Sequence, residues 1–139
     1  MPLHRLLAAT LAVLLAGAIV PASEAAEPQL AHAVFFKLKD SSPKGRERFI
    51  ASCEKYLTGH RGVVAFSVGT MAEDVVEPGI SDREFDVALH VIFEDKARLA
   101  DYLKSERHDK FVAENKDGFA RVRVFDSYLP APRATTAGR

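Results

Sequence analysis

Six segments with strand-like or helix-like patterns follow one another within residues 30–129, and their order restricts the fold more than any other feature of the sequence. Between the first two strand-like segments, and again between the last two, apolar residues recur at helical spacing. The order β-α-β-β-α-β is typical of α+β ferredoxin-like proteins, in which an antiparallel four-stranded sheet carries both helices on one face. The predicted strands, rich in Val, Phe and Leu, are residues 30–39, 62–71, 85–93 and 118–129.

The sequence also marks the ends of the helices. Ser42 is suited to cap the first helix, and Gly59 suits the position after its last turn. His60 follows that turn, where a cation is favoured, and is given no further role. Acidic residues at 94–95 predict the start of the second helix. The charged stretch 106–116 is expected to form only one or two loose helical turns.

Residues 1–25 have the pattern of a secretory signal peptide. An uncharged run, residues 6–20, follows a short positive start, and small residues at Ser23 and Ala25 are spaced as at a signal-peptidase site. The run is short for a membrane span, which needs about 20 apolar residues. We therefore expect a secreted or periplasmic protein that has no membrane contact after cleavage; an uncleaved N-terminal anchor is the alternative.

Composition narrows the possible functions. The chain has 19 basic and 19 acidic side chains, so its formal net charge is zero, and no basic block favours nucleic-acid binding. Its single cysteine, Cys53, excludes an intrachain disulfide and is expected to be a small buried hydrophobe. No phosphate loop, nucleophile elbow or metal-ligand helix is present, so neither a cofactor nor a metal is expected. The acidic loop 72–84 is expected to be solvated and mobile, and residues 130–139 to be a disordered tail.

Apolar residues occupy both faces of the predicted sheet. In the first strand, Val34 and Phe36 lie on one side and Phe35 lies on the other. Two helices cover only one face, so the second face would expose more apolar surface than a soluble monomer usually does. The sequence therefore predicts an isologous homodimer. In the third strand, one face is expected to hold Phe85, Val87, Leu89, Val91 and Phe93, and the other Asp86, Ala88, His90 and Ile92.

Three segments carry a family resemblance: HAVFFKLKD from His32, Gly62-Val63 with the later Ser67-Val68-Gly69, and the block FDVALHVIFEDKARLADYLKSERHDKF. In this order and spacing, they resemble the opening strand, the second strand, and the third strand with its following helix in the stress-responsive dimeric α/β barrel (Dabb) family. The resemblance covers residues 30–129. It implies two ferredoxin-like subunits whose sheets meet as a barrel.

One plant branch of that family is a polyketide cyclase that needs no metal or cofactor and closes a ring by aldol condensation. The resemblance places its catalytic Tyr and His on Tyr102 and His108, and its first-strand His on His32. The sequence departs from the family at two points. The usual His-Pro before the last His is Ser105-Glu106 here, and a further strand-three His of the cyclases is Val87.

The chemistry of the candidate residues agrees with this resemblance. An imidazole such as that of His108 titrates near neutral pH, as general acid–base catalysis requires, and the Tyr102 hydroxyl can hold an enolate. The alternative is that His108 is a surface residue beside Asp109 and that Tyr102 only packs the helix. His32 and His90 are candidate ligand-binding residues; His32 can also be a core histidine, and His90 is expected to line the dimer interior.

These observations favour an exported, stress-responsive homodimer that binds a small apolar ligand, without a cofactor, in a cavity between helices and sheet. A second hypothesis is a cofactor-free lyase or polyketide-cyclase-like enzyme that uses the His108–Tyr102 acid–base pair. A third is haem or oxygen chemistry, because related dimeric α/β barrels include haem enzymes and small monooxygenases.

Overall fold

A computed structural model describes residues 27–130, which form one four-stranded sheet and three helices. All pairings are antiparallel, in the order β2-β3-β1-β4, which confirms the ferredoxin-like arrangement. The predicted signal peptide and nearly all of the predicted tail lie outside the described residues. The elements are β1 (Gln29–Leu38), α1 (Pro43–Leu57), β2 (Val63–Thr70), β3 (Val87–Phe93), α2 (Lys96–Leu103), α3 (Glu106–Asn115) and β4 (Phe119–Leu129), with a short 3-10 turn at Lys116–Gly118.

Polar side chains cap α1 and α2 at the positions that the sequence indicates. The Ser42 hydroxyl accepts a hydrogen bond from the backbone N–H of Gly45 at 3.1 Å, and the Asp95 carboxylate accepts one from the N–H of Arg98 at 2.8 Å. After α1, Gly59 has a φ of 66°, the left-handed conformation that glycine adopts readily. None of the helices within residues 27–130 is long and apolar enough to cross a bilayer.

The stretch predicted as loose turns is the regular helix α3. The Ser105 hydroxyl caps it by accepting from the N–H of His108 at 3.2 Å, and Lys110 pairs with Glu106 one turn away at 2.8 Å. Only Phe111 is buried, so the apolar stripe of this helix is too short to stand out in the sequence. The helix packs against α1 and forms one wall of the cavity described below.

The core lies between the sheet and the helices. On the sheet side it contains Leu30, Val34, Phe36, Leu38, Val87, Leu89, Val91 and Phe93. Phe49, Cys53 and Leu57 of α1 pack on it from the other side. Cys53 is fully buried, which confirms its predicted place in the core, and burial raises the pKa of its thiol to about 12.

The opposite face of the sheet, which carries no helix, is called the open face here. Phe85 lies on it: its ring packs on Phe35 with 5.0 Å between ring centroids, so the prediction that Phe85 shares a face with Val87 is wrong. The reason is that β3 begins only at Val87, because Asp86 turns inward to accept a hydrogen bond from the N–H of Leu38 at 2.8 Å.

The acidic loop, residues 72–84, has more partners than its sequence suggests. The carboxylate of Asp82 pairs with Arg123 on β4, Glu84 pairs with Arg121 at 3.0 Å, and Glu73 pairs with Arg46 of α1 at 3.0 Å. These ion pairs connect the loop to a sheet edge and to a helix, so its acidic residues are not solely solvated. All three pairs involve exposed carboxylates, and each contributes little to stability.

Candidate functional site

A cavity of about 220 Å³ lies between the sheet and helices α2 and α3. Val122 and Val124 on the edge strand β4 are 40% and 50% exposed, so the cavity opens at that edge. Its wall is apolar except for one tyrosine and two histidines. It is formed by His32, Val34, Phe36, Leu57, Leu89, Tyr102, Leu103, His108, Phe111, Val112, Phe119, Val122 and Val124.

Tyr102 lies at the centre of the polar part of this wall. It is 2% exposed, and its ring centroid lies 5.0 Å from that of His108 and 6.2 Å from that of His32. Burial raises the pKa of the phenol far above its usual range, so the hydroxyl remains a proton donor at neutral pH. Within residues 27–130, the structure shows no hydrogen bond to this hydroxyl.

His32 is oriented by a carboxylate that sequence reasoning missed. Its Nδ1 lies 2.7 Å from Oδ1 of Asp126, which is directly opposite it in the β1–β4 register. Because a carboxylate accepts hydrogen bonds, Nδ1 carries a proton and the remaining ring nitrogen, Nε2, is free of this contact. The His32 side chain is 8% exposed and that of Asp126 is 47% exposed, so the pair joins the cavity wall to the solvent edge.

His108 lies in the first turn of α3 and completes the polar cluster. Burial lowers the pKa of its imidazole; neighbouring Asp109 opposes this shift, and the histidines at 32 and 60 lower the pKa further. His108 is therefore neutral at neutral pH and can accept a proton. The site thus combines a phenol that keeps its proton with an imidazole that can take one.

His90 does not belong to this cluster. It is exposed on the open face, 5.9 Å from the ring of Phe35, with the sheet between it and His32. The structure therefore brings together His32, Tyr102 and His108 and leaves His90 apart from them.

Two other concavities lack these residues. One of about 260 Å³ lies between Asp40, Arg48 and Asp117, and one of about 320 Å³ lies on the open face beside Phe35 and Arg123. The smallest of the three is the candidate site because the groups whose pKa values are shifted mainly by burial, Tyr102 and His108, converge there. Asp40 and Asp82, which line the other two, are exposed carboxylates whose pKa values are lowered mainly by hydrogen bonds. Within residues 27–130, no group of three His, Cys, Asp or Glu residues is placed to bind a metal ion.

The fold and the cavity define a class: ferredoxin-like α+β proteins with a ligand-sized cavity between helices and sheet. The chain belongs to the stress responsive A/B barrel domain family, Dabb, whose model matches residues 30–129. No curated protein sequence matches it.

Solved structures share the fold. The chain is similar to a Dabb family protein with a ferredoxin-like fold from Mesorhizobium loti, at 25% identity and a TM-score of 0.62 over 76% of this chain and 100% of that one. It is also similar to a dimeric ferredoxin-like protein of unknown function from Thermobifida fusca, at 15% identity and a TM-score of 0.60 over 74% of this chain and 92% of that one. A third similar structure is a hydroxynitrile lyase from Passiflora edulis, at 19% identity and a TM-score of 0.59 over 76% of this chain and 96% of that one. At 15% and 19% identity, these likenesses show the fold alone.

Proposed function

We propose that the cavity binds a small organic molecule that is largely apolar and carries one carbonyl or hydroxyl group. The observation that carries this proposal is the polar cluster of Tyr102, His108 and His32 in an otherwise apolar wall. A dry cavity of 150 Å³ can hold benzene, so about 220 Å³ suits one ring with a short substituent. The Tyr102 hydroxyl, which has no hydrogen bond within residues 27–130, would donate to the polar group of the ligand.

A direct test is ligand-observed NMR with phenylacetone as the probe and propylbenzene, its analogue without a carbonyl, as the reference. We expect phenylacetone to bind more tightly, and Tyr102→Phe to remove that preference. Val124→Phe should block the cavity from its edge. Val64→Phe is the matched control, because Val64 has the same 50% exposure and lies outside the cavity. If Val124→Phe and Val64→Phe bound phenylacetone equally well, the proposal would be contradicted.

A second candidate function is a cofactor-free lyase or aldol-type cyclase. It is favoured by the opposite protonation of two adjacent groups: His108 is a neutral acceptor and Tyr102 a protonated donor, 5.0 Å apart between ring centroids. His108 would take a proton from the carbon next to a carbonyl, and the C–H electron pair would form an enolate whose oxygen Tyr102 stabilises. The enolate carbon would then bond to a second carbonyl, whose oxygen recovers the proton from His108.

Deuterium exchange at the phenylacetone methylene tests the first step of this chemistry without knowledge of the natural substrate. We expect the protein in D₂O to accelerate exchange, His108→Ala to lose about 10²-fold or more of the acceleration, and Tyr102→Phe to lose part of it. A protein that binds phenylacetone without accelerating exchange would leave the binding function and remove the enzymatic one.

We also propose that the chain forms a homodimer through the open face. Phe125 on that face is 54% exposed and packs 5.8 Å from Phe35, and similar structures are described as dimeric. Covering this apolar surface with the same face of a second copy would give an isologous dimer. In light scattering, Phe125→Glu should reduce the mass to that of one subunit. Leu103→Glu, a similarly exposed apolar position on the helix side, should leave the mass unchanged.

Export is proposed from the sequence pattern of residues 1–25. Expression of the whole chain in a bacterial host should yield a periplasmic or secreted protein, and its intact mass should correspond to cleavage near Ala25. A cytoplasmic protein with an unprocessed N-terminus would contradict this proposal.

A further inference from the structure

His60 packs on the Tyr102 ring but does not line the cavity. The two ring centroids are 4.9 Å apart at an interplanar angle of 79°. His32 and His108 do line the cavity, so the Tyr102 ring has two cavity histidines and a third imidazole, outside the cavity wall, as neighbours. The family resemblance gave His60 no role, and its place follows from the turn that carries it.

That turn fixes the imidazole and its tautomer. Nε2 of His60 lies 2.9 Å from the backbone carbonyl oxygen of Tyr56, in the last turn of α1. A carbonyl only accepts, so Nε2 carries a proton whether the ring is neutral or charged. The Nε2–H of His60 therefore keeps its bond to α1 in both protonation states of the ring.

A second contact, one helical turn away, presses the same turn against α2. Gly62 has a φ of 79°, and a Cβ atom there would lie 2.3 Å from Cγ of Arg98. Arg98 precedes Tyr102 by four residues, so the two lie on one face of α2. The turn thus touches α2 at two successive positions, which restrains the helix that carries Tyr102.

We propose that His60 is a positioning residue of this site: it packs on the Tyr102 ring, which His108 also contacts, and when charged it repels a positive charge on His108. The inference rests on the proposed function only because it takes Tyr102 and His108 as the residues that act on the ligand. His60 acts here by contact with the phenol and by like-charge repulsion.

The groups around His108 support this coupling. Asp109 on its own helix favours its charged form, whereas His32 on β1 and His60 on the α1–β2 turn disfavour it. His32 has a carboxylate partner, Asp126, whereas the hydrogen-bond partner of His60 among residues 27–130 is a neutral carbonyl. A charge on His60 therefore has no nearby hydrogen-bonded counter-ion to offset its effect on His108.

The test is an NMR titration of the histidine ring protons, which needs no ligand. His60→Gln keeps an N–H that can reach the Tyr56 carbonyl but cannot titrate. In this variant, we expect the His108 midpoint to rise by about a few tenths of a pH unit. His60→Phe cannot titrate either, so it should give a similar rise of the His108 midpoint.

An unchanged or lower His108 midpoint in a folded His60→Gln protein would overturn the proposal. If His60→Gln does not fold, the His108 midpoint in His60→Phe decides alone. His60→Phe tests the contact: it keeps an aromatic ring against Tyr102, so it should preserve phenylacetone binding better than His60→Gln does. If phenylacetone does not bind at all, the proposed function fails while the titration still tests the role of His60.

Discussion

Two buried polar side chains of this protein, Asp86 and Tyr102, have opposite surroundings. Asp86 is 4% exposed, and both of its carboxylate oxygens are occupied: Oδ1 accepts from Nζ of Lys37 at 2.9 Å, and Oδ2 accepts from the N–H of Leu38 at 2.8 Å and from the Ser41 hydroxyl at 2.9 Å. Tyr102 is 2% exposed, and its hydroxyl has no hydrogen bond within the described residues.

The difference separates a structural polar group from one available for chemistry. A buried carboxylate whose hydrogen bonds are all made by the protein has no capacity left for a ligand, and it fixes the chain around it. Asp86 connects the start of β3 to the end of β1 and to the turn before α1. A buried hydroxyl at a cavity wall retains its donor for a molecule that enters. The following predictions test this distinction.

Replacing Asp86 should have the largest effect on stability. Asp86→Ala leaves the Leu38 N–H without its acceptor and Lys37 without its partner, while the Ser41 hydroxyl keeps only the Leu38 carbonyl, at 3.1 Å. We therefore expect the free energy of unfolding to fall by about 3 kcal/mol. Chemical denaturation measures this change. A loss below ~1 kcal/mol would mean that Asp86 does not hold these elements together.

Gly62→Ala should be the next most destabilising change, at about 2 kcal/mol, because it combines a positive φ with a collision against Arg98. Gly79→Ala is the matched control: its φ is also 79°, but no atom lies within 4 Å of the added Cβ. We expect about 1 kcal/mol for Gly79→Ala from the backbone conformation alone. Equal losses would show that Arg98 moves aside freely and that the turn does not restrain α2.

The features that could be predicted from the sequence are those that depend on residues close together along the chain. The strand patterns, the cap at Ser42, the acidic helix start at 94–95 and the Dabb resemblance led to the correct fold, because each depends on residues close together in the sequence. They also led to Tyr102 and His108, which lie on successive helices around one cavity. The regular helix α3 was predicted only as loose turns, because a single buried phenylalanine, Phe111, does not form an apolar pattern at helical spacing.

The remaining parts of the site depend on tertiary packing. Asp126 meets His32 across 94 positions of sequence, through a strand register that no local pattern specifies. His60 reaches Tyr102 because its turn packs on α2. Phe85 lies on the open face because Asp86 ends the alternation that would have continued to it. The one available signal was the pairing of β1 with β4, which would have placed Asp126 near His32 if the register were known.

Acid should remove the contribution of Asp86 gradually. Burial alone would raise the pKa of this carboxyl, but its hydrogen bonds from Leu38, Lys37 and Ser41 lower it on balance. A pKa lowered by folding gives stability that is present above the unfolded value, about 3.9, and is lost as the pH falls through the folded value. Asp86→Asn should therefore lose less stability than the wild type between neutral pH and pH values below about 4. Parallel pH profiles of unfolding for the two proteins would contradict this prediction.

Tyr102→Phe should have the smallest effect on stability, although the residue is central to the site. Its hydroxyl makes no hydrogen bond to another described residue, so the free energy of unfolding should stay within ~1 kcal/mol of the wild-type value. Tyr56→Phe is the matched control, because the hydroxyl of the buried Tyr56 donates to Glu114. This variant should lose about 1–2 kcal/mol in its free energy of unfolding. Denaturation of both variants, with phenylacetone binding measured on each, separates the two tyrosines. If Tyr102→Phe lost more stability than Tyr56→Phe, the Tyr102 hydroxyl would have a structural partner and would not be available to a ligand.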